Sequence, residues 1–403
     1  MTERPDHIAI VGAGQAGATL AETLRKRGHA GRITLWGEEP EIPYQRPPLS
    51  KAYLLGEMDR ARLFLRPRSY WEEQGIELRT GTRVTAIDPA AHSLTHDGGT
   101  ESWGALALTT GSRNRRLPTA MGGDLQGVYG VRTLADIDAM EPAFRAGAHL
   151  LVVGGGYIGL EAAAVARKRG MRVTLLEAAQ RLLARVACWD TALWFAAKHR
   201  AEGVEIMEEA TLERLEGADG RVTGAVLSDG SRIAVDAVVA GIGVAPNTDL
   251  AAEAGLRIED GIAVDEFGRT SAPDIWAAGD CCSFPWRGGR IRLESVPHAI
   301  EQAEAVAANI LGAATPYEAK PWFWSDQYDV KLQIAGLNAG FDHVVVRDGD
   351  HTSHWYYRGD ELLAVDAIND PRAYMVGKRL IEAGRSPDPR AVADPATPLK
   401  SLL

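Results

Sequence analysis

The sequence predicts an α/β fold in which one strand–glycine loop–helix–strand unit occurs twice and an α+β domain follows. Three observations support this prediction. A glycine-rich loop follows a short apolar run at residues 7–17. The same arrangement returns at residues 150–159, with its first glycine 142 positions after that of the earlier loop. From about Pro321 onward, aromatic residues and strand-like alternation dominate.

Composition and charge define the broad class of protein. The 403 residues are 45% hydrophobic and 24% charged, which is typical of globular proteins. The net charge of −10 argues against a nucleic-acid partner, because such a partner requires a basic surface. Three cysteines are too few for a disulfide framework. No apolar run approaches the ~20 residues of a membrane span, and residues 1–7 carry no signal-peptide pattern. We therefore expect a cytoplasmic protein without membrane contact.

In the first unit, apolar residues 7–11 lead into the glycine-rich loop 12–17. Leu20 and Leu24 are four residues apart, as on the apolar face of a helix, and Gly28 is a suitable helix end. Residues 32–37 predict the next strand, which Glu38 closes.

In the second unit, residues 150–153 lead into the loop 154–159. Residues 161–166 predict a helix that ends at Gly170, residues 171–176 predict a strand, and Glu177 closes it. The distance between the units is far longer than a solenoid repeat, so they are interpreted as separate domains.

Each glycine of these loops has its own physical role. The first permits a tight turn, the second lets the backbone approach a pyrophosphate, and the third lets helix and strand pack closely. The helix N-terminus then offers free amides to phosphate. Glu38 lies 21 residues after Gly17, and Glu177 lies 18 residues after Gly159, near the ~20 expected for an acid that binds a ribose diol. Two complete copies favour two Rossmann-like dinucleotide-binding domains over two chance glycine-rich turns.

Further segments return the chain to these domains. Short strands and turns are predicted from residue 84 to 111, ending in Thr109-Thr110-Gly111, and again before residues 241–243. An apolar strand leads to Gly279-Asp280, and residues 299–311 predict a helix. Asp280 either hydrogen-bonds a sugar alcohol or ribityl chain or forms an Asx turn, and its own position leaves both open.

The C-terminal part predicts an antiparallel sheet closed by a helix. Strand-like runs at 332–335, 343–347, 354–357 and 362–367 alternate with glycine and aspartate turns, and residues 372–383 predict the helix. The proline-rich tail, residues 386–398, is expected to be extended.

The order of these segments resembles that of the flavoprotein oxidoreductases with two dinucleotide-binding domains. Two strings are more specific. Residues 43–51 (PYQRPPLSK) and 322–327 (WFWSDQ) resemble the ferredoxin reductases that serve bacterial monooxygenases and ring-hydroxylating dioxygenases. The resemblance covers essentially the whole chain.

This resemblance implies a glutathione-reductase-like fold with FAD and NADH as cofactors. It implies that NADH gives a hydride to FAD and that single electrons then pass to a 2Fe–2S ferredoxin, which feeds a haem-thiolate cytochrome or a dioxygenase. It also implies a discontinuous FAD domain at 1–112 and 245–321, an NAD domain at 113–244 and a C-terminal domain at 322–403. The chain is expected to be a monomer or a homodimer.

Site residues follow from the same resemblance. FAD would contact Gly12, Gly14, Ala16 and Gly17 at its pyrophosphate, Glu38 at the adenosine ribose, Arg46, Lys51, Val84 and Arg132 along the site, Asp280 and Val296 at the ribityl and isoalloxazine groups, and Trp324 beside the ring. NADH would contact Gly156, Tyr157, Ile158, Glu177 and Arg185, with Gly243 and Glu294 near the nicotinamide. No metal site is predicted.

Lys51 and Glu161 are the predicted catalytic pair. In related flavoproteins a lysine–glutamate pair lies beside the reactive flavin nitrogen, where a lysine stabilises negative charge. The alternatives are a solvated loop lysine and an ordinary polar position on a helix.

Glu177 favours NADH over NADPH, because a carboxylate repels a 2′-phosphate and binds a free 2′-hydroxyl. Arg181 and Arg185 follow closely in the sequence and weaken this preference, unless they are solvated or helix-capping charges.

The cysteines and one histidine have simpler interpretations. Residues 44–51, where disulfide reductases of this superfamily carry a reactive cysteine pair, have none, so electrons are expected to leave the flavin directly. Cys281 and Cys282 are interpreted as buried thiols rather than a redox pair, because a disulfide between neighbours is strained. Cys188 is expected to be a packing residue. For His298 we favour packing or hydrogen bonding over a proton-handling role.

An acidic ferredoxin would dock on a basic patch. The candidate residues for this patch are Arg66, Arg68, Arg287, Arg290, Arg292 and Lys331.

Three alternatives use the same scaffold. An NADH oxidase or peroxidase of the cysteine type is disfavoured by the missing active-site cysteine, whereas a rubredoxin reductase is harder to exclude. A redox-sensing flavoprotein of the apoptosis-inducing-factor type is disfavoured by the net charge of −10.

Overall fold

The computed structural model describes residues 5–403. Residues 1–4, which the sequence assigns to the first domain, lie outside the described residues. In chain order the strands are β1 (His7–Val11), β2 (Arg32–Gly37), β3 (Ile76–Thr80), β4 (Val84–Asp88), β5 (Ser93–His96), β6 (Gly99–Ser102), β7 (Ala105–Leu108), β8 (Ser112–Asn114), β9 (Val128–Tyr129), β10 (His149–Val153), β11 (Arg172–Leu176), β12 (Val204–Met207), β13 (Leu212–Ala218), β14 (Arg221–Leu227), β15 (Arg232–Ala234), β16 (Ala237–Ala240), β17 (Val244–Pro246), β18 (Ile262–Ala263), β19 (Ile275–Ala277), β20 (Cys282–Trp286), β21 (Gly289–Ile291), β22 (Trp322–Gln327), β23 (Val330–Gly336), β24 (His343–Asp348), β25 (Thr352–Arg358) and β26 (Glu361–Ile368).

The α-helices are α1 (Gln15–Lys26), α2 (Arg68–Glu73), α3 (Leu134–Met140), α4 (Tyr157–Lys168), α5 (Trp189–Ala201), α6 (Asp249–Glu253), α7 (Val296–Ile310), α8 (Pro371–Glu382) and α9 (Pro389–Ala393). Among residues 5–403, none of the helices combines the length and apolar character needed to cross a bilayer.

The chain divides into two compact units. Of the described residues, unit 1 comprises those up to Gln45, 60–113 and 245–321, and unit 2 comprises residues 46–59, 114–244 and 322–403. The divisions after residues 113, 244 and 321 lie within one residue of the boundaries that the sequence predicts. The units differ from the predicted domains in two ways. They place residues 46–59 in unit 2, and they join the C-terminal part to residues 114–244.

Unit 1 is built on a five-stranded parallel sheet with the order β19–β7–β1–β2–β3. Its central strand β1 is buried along residues 8–11, as is typical of a parallel strand covered on both faces. On one face, Leu20 and Leu24 of α1 share a core with Val306 of α7. Two small sheets, β4–β5–β6 and β18–β20–β21, complete the unit.

Unit 2 contains a second five-stranded parallel sheet, with the order β9–β16–β10–β11–β12. Here β10 takes the place of β1, and α4 takes the place of α1. The equivalence extends across the sheet, since β16 and β11 flank β10 as β7 and β2 flank β1. The predicted pair of Rossmann-like domains is therefore confirmed. A small antiparallel sheet, β13–β14–β15, lies in the same unit.

The C-terminal part of unit 2 is a five-stranded antiparallel sheet with the order β22–β23–β26–β25–β24. Helix α8 packs on it through Tyr374, Val376 and Leu380, so the predicted α+β domain is confirmed. The sequence did not predict β22, which pairs with β23 along its whole length.

The prediction of an extended tail over residues 386–398 is wrong for residues 389–393, which form α9. A 3₁₀ turn, residues 399–402, follows the predicted tail. Asp388 starts α9, because its side chain accepts a hydrogen bond from the Arg390 amide at 2.8 Å. Arg347 of β24, which is 8% exposed, then holds the tail. Its guanidinium donates to the carbonyl oxygens of Val392, Asp394, Pro395 and Thr397 at 2.8–3.2 Å.

Replacing this guanidinium tests how the tail is held. Arg347→Lys should lower the free energy of unfolding by about 1–3 kcal/mol, because a lysine ammonium cannot donate hydrogen bonds to all the carbonyl oxygens that the planar guanidinium reaches. Arg358→Lys is the matched control, since the Arg358 side chain is 55% exposed and pairs with Glu361, and it should change stability by less than about 0.5 kcal/mol. Urea unfolding measures both, and equal effects would contradict this role of Arg347.

Candidate functional site

The first glycine loop, in unit 1, leaves no room for side chains at its ends. Gly12 follows β1 with φ +115°, and a Cβ there would lie 2.2 Å from the carbonyl oxygen of Thr109. A Cβ on Gly17 would lie 2.0 Å from the carbonyl oxygen of Gly12. The Thr109 hydroxyl donates to that same Gly12 oxygen at 2.8 Å. Sterics therefore require glycine at the first and third positions of the fingerprint.

The second loop, in unit 2, repeats this geometry. Gly154 has φ +103°, and a Cβ on it would lie 2.5 Å from the carbonyl oxygen of Gly241. A Cβ on Gly159 would lie 2.1 Å from the carbonyl oxygen of Gly154. The Gly241 carbonyl therefore lies against the second loop in the same way as the Thr109 carbonyl lies against the first loop. Residues 109–111 and 241–243 thus occupy equivalent positions after β7 and β16.

The middle glycine of each loop has free space around it, unlike the first and third glycines. Gly14 and Gly156 have ordinary φ values of −88° and −83°, and a Cβ on either would meet nothing within 4 Å. Each is the N-cap of its helix, no side chain caps either helix, and neither first turn contains an acid. The amides at these helix N-termini thus face an open cradle, which fits a pyrophosphate at each loop. The predicted residues Ala16 and Ile158 lie in these first turns.

The two ribose-binding candidates are held differently. Glu177 accepts from the Gly155 amide at 2.8 Å and from the Ala179 amide at 2.7 Å. Glu38 is exposed and pairs with Arg83 at 3.4 Å.

Register explains why the two acids have different spacings. The Gly12 amide bonds to Trp36 and the Gly154 amide bonds to Leu176, so Glu177 is equivalent to Gly37 rather than to Glu38. Glu38 therefore lies one position later. The connection from α1 to β2 is also longer, residues 27–31 against residues 169–171 before β11.

The remaining candidates of unit 1 lie on three separate segments of the chain. Asp280 follows β19 and accepts a hydrogen bond from the Ser112 hydroxyl at 2.9 Å. Val296 is the first residue of α7, which begins three residues before the predicted start and is capped by Ser295. Val84 begins β4 and packs on the unit's core. Glu294 is exposed and pairs with Arg292.

In unit 2, Arg46 donates to the carbonyl oxygen of Arg132 at 2.7 Å, which brings these two candidates together. Trp324 lies on β22 with its ring centroid 5.6 Å from that of Trp322. Tyr157 begins α4, and its ring centroid lies 4.8 Å from that of Phe323.

Tyr157 has an unusual hydroxyl. Among the described residues, this buried hydroxyl has no hydrogen-bond partner, and burial raises the pKa of the phenol. A buried donor without a partner fits a ligand group that would complete its hydrogen bonding.

The two arginines after Glu177 have different roles. Arg181 donates to the carbonyl oxygens of residues 182–184 and 188 at 3.2–3.4 Å and lies over the Trp189 ring, so it holds the loop. Arg185 is exposed, and one of its nitrogens lies 3.6 Å from the place of a Cβ on Gly243. The structure thus brings Arg185 and Gly243 together.

Lys51 and Glu161, the predicted catalytic pair, meet in unit 2. Lys51 lies in the short helical segment Leu49–Tyr53, and its Nζ is 2.8 Å from Glu161 Oε2. The side chains are 18% and 6% exposed, so neither is a solvated surface group. Within residues 5–403, Nζ has one further acceptor, the carbonyl oxygen of Pro47 at 3.3 Å. An ammonium has three N–H donors, so one remains for a bound group.

Sequence analysis missed the other groups that hold Glu161. The Ser50 hydroxyl donates to Oε2 at 2.6 Å, and the Ser325 hydroxyl donates to Oε1 at 2.7 Å. Both serines lie inside the specific strings 43–51 and 322–327, which was the signal that could have identified them.

The thiols and His298 behave as simple interior groups. Cys281 and Cys282 are fully buried and free, and their thiols donate to carbonyl oxygens of Leu108 and Gly279 at 3.5 and 3.4 Å. Burial raises the pKa of both thiols, so the buried-thiol interpretation is confirmed. His298 Nδ1 lies 2.9 Å from the Tyr317 hydroxyl, and burial lowers the pKa of His298 to about 4. Cys188 is the buried N-cap of α5.

The candidate docking cations are largely paired within their own units. In unit 1, Arg66 pairs with Glu22 at 3.3 Å, Arg290 pairs with Glu259 at 3.1 Å, and Arg292 pairs with Asp260 and Glu294. In unit 2, Lys331 lies 3.9 Å from Asp326. A basic docking patch therefore stays a prediction.

Comparison with known proteins agrees with this geometry. The profile of the pyridine nucleotide-disulphide oxidoreductases matches residues 6–303, and that of the reductase C-terminal domain matches residues 322–403. The chain is 44% identical over 401 residues to the 5,5′-dehydrodivanillate O-demethylase ferredoxin reductase subunit of Sphingobium sp. (strain NBRC 103272 / SYK-6), covering 98% of this chain and 97% of that protein. It is 43% identical to a ferredoxin–NAD(P)(+) reductase of Sphingomonas sp, covering 100% and 99%.

Among solved structures, the covalent putidaredoxin reductase–putidaredoxin complex matches with a TM-score of 0.95 and 39% identity, covering 98% of both chains. The chain belongs to the pyridine nucleotide-disulphide oxidoreductase family and, within it, to the ferredoxin reductases. The predicted resemblance is thereby confirmed.

The second glycine loop gives a matched pair of variants. Gly156→Ala should leave the free energy of unfolding within about 1 kcal/mol of wild type, because its Cβ meets no atom, yet weaken NADH binding about tenfold or more by filling the open cradle. Gly159→Ala should lower that free energy by about 1–3 kcal/mol through the clash with Gly154.

Urea unfolding and NADH titration by fluorescence measure both variants. Unchanged NADH affinity in Gly156→Ala would contradict the assignment of the cradle.

Proposed function

We propose that the protein is an NADH-dependent, FAD-containing ferredoxin reductase. Each NADH gives up a hydride, and two molecules of oxidised 2Fe–2S ferredoxin each take one electron, so that NAD⁺, one proton and two reduced ferredoxins result. The reduced ferredoxin would feed a haem-thiolate monooxygenase or a ring-hydroxylating dioxygenase. The observation that carries this proposal is the presence of two open, uncapped glycine loops in equivalent positions of two parallel sheets.

The proposal assigns FAD to the first loop and NADH to the second. FAD would be held by Gly12, Gly14, Ala16, Gly17, Glu38, Arg46, Lys51, Val84, Arg132, Asp280, Val296 and Trp324, as the resemblance implies. NADH would be held by Gly156, Tyr157, Ile158, Glu177, Arg185, Gly243 and Glu294. When bound, FAD supplies the ability to take up an electron pair and release it one electron at a time.

Lys51 would act through its ammonium group. Its remaining N–H is available to a ligand, and a cation held there stabilises negative charge that develops nearby. Glu161 fixes the position of the ammonium, because the 2.8 Å contact and the two serine hydroxyls leave the carboxylate little freedom.

Two features narrow the chemistry. The three described thiols are buried, and those of Cys281 and Cys282 donate to carbonyl oxygens, which supports electron transfer without a dithiol relay. Glu177, tied to the second loop by the Gly155 amide, supports NADH rather than NADPH, because its charge would repel a 2′-phosphate. We further propose a cytoplasmic location, in keeping with the few cysteines, and a monomer or homodimer.

Turnover with purified protein tests the function. NADH added without oxygen should bleach the yellow flavin absorbance, and cytochrome c reduction should rise steeply with added 2Fe–2S ferredoxin and be slower with NADPH. Rubredoxin in place of ferredoxin tests the main alternative. Absence of bound flavin, or turnover that ignores ferredoxin, would overturn the proposal. If turnover does not depend on ferredoxin, the remaining alternatives are a rubredoxin reductase and a sensor of the apoptosis-inducing-factor type.

Lys51→Met tests the catalytic pair. Flavin reduction by NADH should slow on the order of 10²-fold, since one charged donor is lost at the reacting centre. Lys26→Met is the matched control, because Lys26 is 66% exposed in its surface pair with Glu22 and its loss should leave the rate unchanged. Stopped-flow absorbance measures both, and a wild-type rate in Lys51→Met would contradict the role of Lys51.

A further inference from the structure

One face of helix α4 meets one face of strand β22 in unit 2. Tyr157 and Glu161 are four residues apart and share a face of the helix. Phe323, Ser325 and Gln327 alternate along the strand and share a face of the sheet. The Phe323 ring contacts Tyr157, and the Ser325 hydroxyl contacts Glu161. This face of β22 therefore changes from aromatic to polar along its length.

The polar contacts continue from Glu161 in an unbroken line. Gln327 Nε2 donates to Ser325 Oγ at 3.2 Å, and Gln327 Oε1 lies 2.8 Å from His199 Nε2. The Tyr328 hydroxyl lies 3.1 Å from His199 Nδ1. Ser325, Gln327 and His199 are at most 1% exposed, so bulk water does not compete for these contacts.

The direction of each hydrogen bond follows from the charge at one end. The Glu161 carboxylate, ion-paired with Lys51, only accepts, so the Ser325 hydroxyl must donate to it. The Ser325 oxygen then accepts from the Gln327 amide nitrogen, and the Gln327 oxygen faces His199. His199 must therefore carry its proton on Nε2, which leaves Nδ1 to accept from the Tyr328 hydroxyl.

We propose that Ser325, Gln327, His199 and Tyr328 form a directed relay of hydrogen bonds that positions the Glu161 carboxylate against Lys51. We call this set the Glu161 relay. The proposal rests on the proposed function, since the position of Lys51 affects reduction by NADH only if flavin binds beside it. The four residues are positioning residues that act on the reacting centre through Glu161.

The protonation state of His199 agrees with the direction of these hydrogen bonds. Burial lowers the pKa of His199 to about 4, so the ring is neutral and offers one donor and one acceptor. The charged groups around His199 and Tyr328 are Lys198 on α5, Glu202 at its C-cap, Asp329 after β22, and Arg167 and Lys168 on α4. Lys198 pairs with both Glu202 and Asp329, at 2.8 and 2.7 Å. These three groups together carry one net negative charge, and Arg167 and Lys168 supply positive charge nearby.

Reversing one member tests the relay. In Gln327→Glu an ionised carboxylate only accepts, so the Ser325 hydroxyl should turn to it and away from Glu161. Flavin reduction by NADH should then be slower by about tenfold at high pH. It should return toward the wild-type rate at low pH, where the new carboxyl is protonated and donates to Ser325.

Two variants separate this effect from ordinary damage to the fold. Gln327→Leu has no titrating group, so its deficit should not vary with pH. Tyr356→Phe removes a buried hydroxyl from Asp366 elsewhere in the same unit, and its pH profile should match that of wild type. A Gln327→Glu profile parallel to the wild-type profile would overturn the proposal.

The tautomer of His199 gives a second readout that needs no turnover. The ¹⁵N spectrum of histidine-labelled protein, assigned with His199→Asn, should report a proton on Nε2 in wild type. Ser325→Ala breaks the link to Glu161 without contacting His199, and it should populate the Nδ1 tautomer. Tyr356→Phe should leave the signal unchanged. An Nδ1 proton in wild type, or a His199 signal unmoved by Ser325→Ala, would overturn the relay.

The experiments distinguish failure of the relay from failure of the proposed function. Wild-type protein that binds no flavin, or is not reduced by NADH, would overturn the function while the His199 spectrum still decides the relay. Normal turnover with ferredoxin, together with a contrary His199 spectrum, would overturn the relay alone.

Discussion

The buried carboxylate of Glu161 is the constraint on which unit 2 depends. A carboxylate removed from water must find a cation and hydrogen-bond donors, or it destabilises the fold. Lys51, Ser50 and Ser325 supply these groups, and they come from the segment 46–59 and from β22. Satisfying one charge therefore fixes helix α4, an inserted segment and the first strand of the C-terminal sheet against one another. It also holds the Lys51 ammonium with one N–H still available.

A second buried carboxylate in the same unit shows what the lysine contributes. Asp366 is 1% exposed and accepts hydrogen bonds from the hydroxyls of Thr191, at 2.7 Å, and Tyr356. Its partners are neutral, and burial raises the pKa of Asp366 to about 6. Neutral donors hold a buried carboxylate in place, whereas a cation also compensates its charge. The difference suits Asp366 to linking α5 with the C-terminal sheet, and Glu161 to placing a cation at a reacting centre.

The glycine loops differ from the Glu161 site, because their function depends on space that no side chain fills. Gly12 and Gly154 are forced by positive φ and a nearby carbonyl, but Gly14 and Gly156 face empty space at uncapped helix ends. Helix amides without a capping side chain hydrogen-bond only to water until a ligand supplies an acceptor. The missing caps lower the stability of the free protein, and the same free amides strengthen the binding of phosphate.

The sequence by itself determined the two Rossmann-like domains, the α+β domain and the glycine loops, because these depend on spacings of a few residues that strands, helices and tight turns impose locally. It also indicated Lys51 and Glu161, through the resemblance to related flavoproteins. It missed β22, the helical tail and the two serines that hold Glu161 together with Lys51. Ser50 and Ser325 lie 111 and 164 positions from Glu161, and no local pattern records such a contact. Only the tertiary structure decided which polar groups share the buried site, because their pairing follows from packing and the need to satisfy charge away from water.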